Sequence, residues 1–363
     1  MMMMTKIRTR HSLHCTTLSL IVGLSVIMSL KFLIVSAIIA FLISSDNFVK
    51  MANSDIESTH RAWVMDSYGQ IKDLKLKSIS IPVIRDGNEV LVKVSAASVN
   101  PIDNLMISKT VFLFFCIKYE ILFQYNYCHT SKNTFQILKI PDHLTFTEAA
   151  SILYTAMTAW SALYPSGKFH NLKYPDTKVL ILGASGGVGT QAVQIVKSEG
   201  ATVVGTCSAD AVPLVRSLGA DYVFNYRDEN YARDVANVGK YDVILDCANY
   251  GVDKLPDLWK YAIYIGLDPP VANYTDWYGT IPGLILSVGS YVRTNLSSWM
   301  KGHSVQWGFF SPNPQGLTYI NKLVEQRKIK PIVQKTFEFI ELPKAMEALA
   351  GGHLRGKIVV EYP

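Results

Sequence analysis

The apolar positions of this chain alternate between two rhythms along its second half. Val179 to Leu182 form a continuous apolar run, the pattern of a parallel strand buried on both faces. After a turn, Val188, Ala192, Val193, Ile195 and Val196 fall on or near one face of a helix, and Gly200 closes it. Ala201 to Thr206 reads as the next strand. The alternation continues with a helix over Asp210 to Leu218, and strands over Ala220 to Tyr226, Tyr241 to Asp246, Tyr261 to Leu267 and Val305 to Phe310. Helices over Leu317 to Glu325 and Leu342 to Ala350 flank a strand-like Pro331 to Phe337, and Gly356 to Val360 makes a last strand. This order predicts an α/β protein with a doubly wound parallel sheet.

The first half has another character. Arg61 to Tyr68 reads as a strand, and in Glu89 to Ala97 the residues Val90, Val92, Val94 and Ala96 alternate with Glu89, Leu91, Lys93 and Ser95. Thr145 with Glu148 three residues on forms a capping box ahead of a helix that carries Ala149, Ala150, Ile152 and Leu153. Between these lies a stretch without clear period, Val111 to Gln136. No glycine occurs from Asn88 through Ser166, although a small β-barrel needs tight turns that glycine makes cheaply. Residues 104–137 read either as a buried irregular insertion or, in preference, as a stretch that replaces a missing piece of the barrel, for instance through a faulty exon assignment, so the barrel is expected to be truncated.

Composition changes the picture mainly at the front. Residues Leu18 to Ser45 are almost wholly apolar, interrupted by Lys31, and Lys6, Arg8 and Arg10 precede them. A bilayer-spanning anchor, a mitochondrial transit segment and an upstream region foreign to the mature chain all fit this pattern. Met51 is an alternative start, and residues 1–50 are placed outside the fold. The leader holds most of the formal charge of +6, so no basic surface for nucleic acid is indicated. Five scattered cysteines form no C-x-x-C pair, which speaks against a structural zinc or a redox dithiol.

The candidate chemistry sits at Gly183-x-x-Gly186-x-x-Gly189, between the buried strand and its helix. A phosphate must approach the backbone there, where a Cβ would obstruct it, and the helix start offers free N–H groups. In that setting the motif reads as a dinucleotide site. An NAD site usually carries a carboxylate at the end of the second strand. Here the end reads Thr206, Cys207, Ser208, and the first carboxylate is Asp210. A small hydroxyl leaves room for a 2′-phosphate, so NADPH is the expected cofactor, although Asp210 could bend back.

Several stretches together resemble one family. They are AWVMDSYG from Ala62, VLVKVSAASVNPID from Val90, PDHLTFTEAASILYTAMTAWSAL from Pro141, KVLILGASGGVGTQAVQIVK, LGADYVFNY, YDVILD, WGFF from Trp307 and GHLRGKIVV from Gly352. The chain is similar to zinc-free medium-chain dehydrogenase/reductases of the quinone oxidoreductase group, across most of 61–363 apart from 104–137. The resemblance implies a GroES-like barrel, from 51–147 and a return over 313–363, around a Rossmann domain over 148–312. It implies NADPH on Ser185, Gly186, Gly187, Val188 and Gly189, with Ser208 and Tyr226 near the 2′-phosphate. Asn249, Leu267, Phe310, His353 and Arg355 are implied as outlying contacts. It also implies a mitochondrial address and a reticulon-type protein partner; a membrane-anchored or cytoplasmic protein is the alternative. Oligomeric state stays open.

A metal-free hydride reductase needs a donor for the negative charge that develops on substrate oxygen. Tyr154 and Asn100 are the candidates. Tyr154 equally reads as a packed helix aromatic, and Asn100 with Asp103 as a loop organiser. His353 and Arg355 could reach a phosphate or be solvated charge, and Tyr226 could be strand-end packing. The expected activity is hydride transfer from NADPH to a quinone or conjugated carbonyl. The rival is an NADPH-binding protein with little catalysis that acts through partners at mitochondria, with Leu18 to Ser45 able to associate with a membrane. Tyr250 and Lys254 have Y-x-x-x-K spacing but stand in the wrong place for a short-chain dehydrogenase pair.

Overall fold

The computed structural model describes residues 59–82, 89–107, 121–125, 127–131, 139–311 and 313–363. The apolar leader and Met51 lie outside them. Strands β1 (Thr59–Met65), β2 (Lys75–Ser80), β3 (Glu89–Lys93) and β4 (Ala96–Val99) lead into a short helix α1 (Pro101–Ile107), then β5 (Ile121–Tyr125) and β6 (Tyr127–Ser131). Helix α2 (Phe146–Ser161) carries the chain across to β7 (Lys178–Leu182), α3 (Gly187–Ser198), β8 (Thr202–Cys207), α4 (Val212–Ser217), β9 (Tyr222–Asn225), α5 (Tyr231–Asn237) and β10 (Tyr241–Asp246). Then come β11 (Tyr261–Gly266), α6 (Val271–Tyr278), α7 (Thr280–Met300), β12 (Ser304–Trp307), α8 (Pro314–Glu325), β13 (Val333–Glu338), α9 (Leu342–Ala350) and β14 (Lys357–Glu361).

The six strands β7 to β12 form one sheet in the order β12-β11-β10-β7-β8-β9, with every pairing parallel. Its continuous apolar runs divide by strand parity between two cores. Val179, Ile181, Val203, Val243 and Leu245 face one cluster with α2, α3 and α8 residues such as Trp160, Ile195 and Leu317. Leu180, Leu182, Val204 and Ile244 face the other, with Tyr241, Trp259 and Tyr264. Burying each such aliphatic chain contributes about 1.5–3 kcal/mol, which accounts for the apolar runs at the middle of these strands.

Three small sheets make the second body: β2-β1-β5, β3-β6 and β13-β14-β4. Val92, Val94, Ala97, Val99, Phe337, Phe339, Ile358 and Val360 form its core, so strands from before α2 and from the last fifty residues share one cluster. Helix α2 opens on the anticipated capping box. The Thr145 N–H donates to Glu148 Oε2 at 2.9 Å and the Glu148 N–H donates to Thr145 Oγ1 at 3.2 Å.

Three expectations need correction. The stretch 104–137 is not irregular throughout: within its described residues β5 pairs antiparallel with β1, and β6 with β3. Their pairing is dictated by partner strands distant in sequence, which local periodicity does not register. The sixth strand ends at Trp307, three residues earlier than predicted, which leaves Phe310 on a loop. Helices α6 and α7 stand between β11 and β12, where the sequence suggested no element.

Candidate active site

The carboxyl ends of β7 to β12 point to one edge of the sheet, and the strand order reverses at β7, between β10 and β8. Ligands of open α/β sheets bind in the crevice at such a reversal. The turn from β7 into α3 occupies that point. Gly183 has φ +73°, in the left-handed region that favours glycine. A Cβ on Gly189 would stand 2.2 Å from the Gly183 carbonyl oxygen, so only glycine lets α3 start this close to the strand. Gly186, by contrast, has open space on its Cβ side, with nothing nearer than 3.5 Å. That vacant side and the unpaired N–H groups of the first turn of α3 fit a diphosphate.

The end of the chain closes over this turn. The Gly356 N–H donates to the Ser185 carbonyl at 3.0 Å, and Gly186 and Gly356 form an isolated parallel bridge. Arg355 precedes that bridge and reaches the end of β8. Its Nη2 donates to Ser208 Oγ at 2.6 Å, and its Nε and Nη2 hold the Asp210 carboxylate at 3.1 and 2.9 Å. Ser208 Oγ in turn donates to Asp210 Oδ1 at 2.5 Å. These hydrogen bonds and the guanidinium hold the Asp210 carboxyl below the usual carboxylate range. Cation, hydroxyl and carboxylate therefore meet at the position where the sequence left the choice between NADP and NAD open.

The other expected contacts ring the same edge. The Tyr226 N–H donates to the Cys207 carbonyl at 3.0 Å, which sets Tyr226 beside Ser208 with its ring exposed under Arg227. Asn249 follows β10 with φ +54°, in a loop pinned by Asp246, whose carboxylate accepts from the Ala248 and Gly251 N–H groups. Leu267 follows β11. His353 has φ +54° and gives its carbonyl to Arg355 Nη1 at 3.0 Å, so its backbone rather than its ring serves the arginine. Phe310 stacks on Tyr154 with ring centroids 4.9 Å apart. Burial and the nearby Asp103 carboxylate push the Tyr154 hydroxyl well above its ordinary value.

The sequence did not single out Lys357. It follows Gly356, lies 4% exposed, and its stem passes 3.0 Å from where a Cβ on Gly187 would sit. Its Nζ donates to Asn100 Oδ1 at 2.7 Å and to the Val99 carbonyl. The Asn100 N–H donates to Asp103 Oδ2 at 2.7 Å, while Asp103 Oδ1 is buried and meets no hydrogen-bond partner among the described residues. Burial raises the Asp103 carboxyl and lowers the Lys357 ammonium, and each charge partly offsets the other's shift. The signal in the sequence was a lysine at the head of the apolar run Ile358-Val359-Val360. Both ends of the Asn100 amide are engaged, Oδ1 by Lys357 and Nδ2 by the Ser98 carbonyl, whereas Tyr154 stacks on Phe310.

Comparison with known proteins fits this geometry. The sequence pattern of the zinc-binding dehydrogenase family matches residues 218–360. Among the described residues no group of three His, Cys, Asp or Glu side chains is placed to hold a metal ion. The chain is 34% identical to the mitochondrial NAD(P)H oxidoreductase RTN4IP1 of Drosophila melanogaster, over 83% of this chain and 86% of that protein. It is 27% identical to the mitochondrial reticulon-4-interacting protein 1 of Caenorhabditis elegans, over 84% and 96%. The fold matches the quinone oxidoreductase of Coxiella burnetii with a TM-score of 0.63 at 23% identity, covering 84% of this chain and 99% of that one.

Proposed function

The chain belongs to the medium-chain dehydrogenase/reductase family, among its quinone-oxidoreductase-like, mitochondrial NAD(P)H oxidoreductases, and on that premise we propose that it takes NADPH in preference to NADH and reduces a quinone or conjugated carbonyl. The observation that carries the cofactor choice is the Arg355 guanidinium 2.6 Å from the Ser208 hydroxyl at the end of β8. A cation beside a hydroxyl suits a 2′-phosphate, whereas an NAD site offers the ribose a carboxylate. Asp210 competes for the same guanidinium, but its side chain is 68% exposed and can swing into water when a phosphate replaces it.

Ser185, Gly186, Gly187, Val188 and Gly189 would hold the diphosphate, and Ser208, Tyr226, His353 and Arg355 the adenosine end. Asn249, Leu267 and Phe310 would line the remainder. When bound, the dinucleotide supplies the hydride. The chain's own task is to orient the acceptor and meet the charge on its oxygen. The Tyr154–Phe310 stack offers an aromatic wall, and the Tyr154 hydroxyl stays protonated at physiological pH, so it can donate. Asn100 is committed through Oδ1 to Lys357 and through Nδ2 to the Ser98 carbonyl, which favours Tyr154 as donor. A conjugated acceptor spreads its charge and needs no stronger acid than this.

The test is oxidation of NADPH and of NADH by the purified chain against a panel of quinones and enones. NADPH should give a kcat/KM at least about tenfold higher, the worth of one good charge-assisted contact. Equal values would sink the cofactor assignment. Tight NADPH binding with no turnover on any acceptor would sink the reductase reading. It would favour a nucleotide-binding protein that acts through a protein partner, of the kind the nematode relative's name gives for that protein.

A further inference from the structure

Helix α7 inverts the usual arrangement of a surface helix. The face it turns to the protein is made of polar and small residues. Gly283, Ser287 and Ser298 are buried, Tyr291 Oη donates to Gln306 Oε1 at 3.2 Å, and Asn295 Oδ1 accepts from the Val305 N–H at 3.1 Å. At Gly283 the helix passes so near α6 that a Cβ would stand 2.4 Å from Thr275 Cα. These contacts fix the helix's rotation. The apolar residues are left outside: Ile281, Ile285, Val288, Val292, Leu296 and Trp299 step by three and four along one exposed stripe. From Ile281 to Trp299 the stripe is about 27 Å long at the helical rise. Trp299 ends it with 75% of its surface exposed, and Trp277, 70% exposed, stands at the other end beside Tyr278. Contiguous apolar surface of this extent on a soluble protein marks a docking site.

We propose that the outer face of α7, with Trp277 and Tyr278 at its start, docks in the headgroup layer of an anionic membrane. Three observations select a bilayer as the occupant. Tryptophan and tyrosine mark both ends of the stripe, where an amphipathic ring is favoured at the boundary of lipid and water. No Asp or Glu occurs from Trp277 through Val324, while Arg293 and Lys301 are exposed on α7 and just beyond it, which complements anionic headgroups. An isologous pair of copies on this face would instead set one acid-free, cation-bearing helix against another, with no carboxylate in the segment to pair. The geometry also fixes how the helix sits. Among the described residues no helix is long and apolar enough to cross a membrane, and α7 is apolar on one side only, so it lies in the plane of the surface. The proposal does not depend on the acceptor assigned above.

The test is flotation of the full chain with vesicles of phosphatidylcholine and phosphatidylglycerol, and with vesicles of phosphatidylcholine alone. The wild type should float with the anionic vesicles, with a blue shift of tryptophan emission. Ile285→Asp/Val288→Asp/Val292→Asp should lower the bound fraction by at least about tenfold, because each carboxylate opposes both burial and the anionic surface, with NADPH oxidation unchanged. Trp277→Ser/Trp299→Ser, which leaves the middle of the helix intact, should weaken flotation too and serves if the aspartate variant misfolds. Flotation equal in wild type and variants would overturn the proposal and assign lipid affinity to another part of the chain, such as the leader. So would a wild type that does not float, or aspartates that halve the mass in light scattering without changing flotation.

Discussion

Lys357 Nζ lies 2.7 Å from Asn100 Oδ1, across 257 positions of sequence. The contact ties the last strand to the turn between β4 and α1, and its stem runs beside Gly187 at the start of α3. One buried side chain therefore links the end of β4, the return strand β14 and the glycine turn before α3.

Lys357→Met should expose the weight of that tie. The methionine keeps most of the stem and leaves Asn100 Oδ1 and the Val99 carbonyl without their donor. A loss of about 1–3 kcal/mol is expected from the two buried hydrogen bonds removed, read as a lower urea midpoint at constant slope. Asp103→Asn in the same background should be partly compensating, with a coupling above about 0.5 kcal/mol in a double-mutant cycle. Strict additivity would mean that the two charges do not share one site.

The buried carboxyl predicts a pH dependence. Asp103 has its folded pKa raised above the unfolded value by burial, so the folded state binds its proton more tightly. Its contribution is full below the unfolded pKa and is lost as pH rises from about 4 toward 7. The stability of the wild type relative to Asp103→Asn should fall across that window. A flat difference between chemical melts at the two ends of the window would refute it.

The glycines of the turn should separate folding from binding. Gly189→Ala forces a Cβ against the Gly183 oxygen and should destabilise the fold by about 1–3 kcal/mol. Gly186→Ala meets only an ordinary contact, so its melt should change by less than about 0.5 kcal/mol. Its new methyl lies where a diphosphate must approach, so NADPH affinity should drop at least about tenfold. Normal affinity in Gly186→Ala would remove this face of the turn from the site.

Arg355 and Asp210 should act in opposite senses. Arg355→Ala should weaken NADPH by at least about tenfold and leave NADH nearly unchanged, since only the former carries a 2′-phosphate. Asp210→Ala frees the guanidinium and should tighten NADPH. Titration of both variants with both dinucleotides checks this, and equal loss of NADPH and NADH in Arg355→Ala would argue against a 2′-phosphate contact.

What the sequence made legible follows from how each signal arises. The run Val179 to Leu182, the glycines after it and the Thr145–Glu148 cap are local patterns, and each appears where it was read. The pairing of β5 with β1 was illegible because antiparallel register is a property of two strands, not one. Helix α7 was missed for a different reason: its apolar residues face outward and its packed face is glycine and serine, so the usual inference from pattern to burial fails. Lys357 was hidden within a motif read for its shape. Its partner Asn100 lies 257 positions earlier in the sequence, which no local pattern connects to it.

The bridge between Gly186 and Gly356 has a consequence for biosynthesis. A ribosome completes the six parallel strands long before it adds Gly356, so the emerging chain can assemble its central sheet while the dinucleotide cradle still lacks one wall. The wall that Gly356 supplies can form only after that residue has left the ribosome. A nonsense mutation in the final codons before Gly356 would leave the sheet whole and the cradle open.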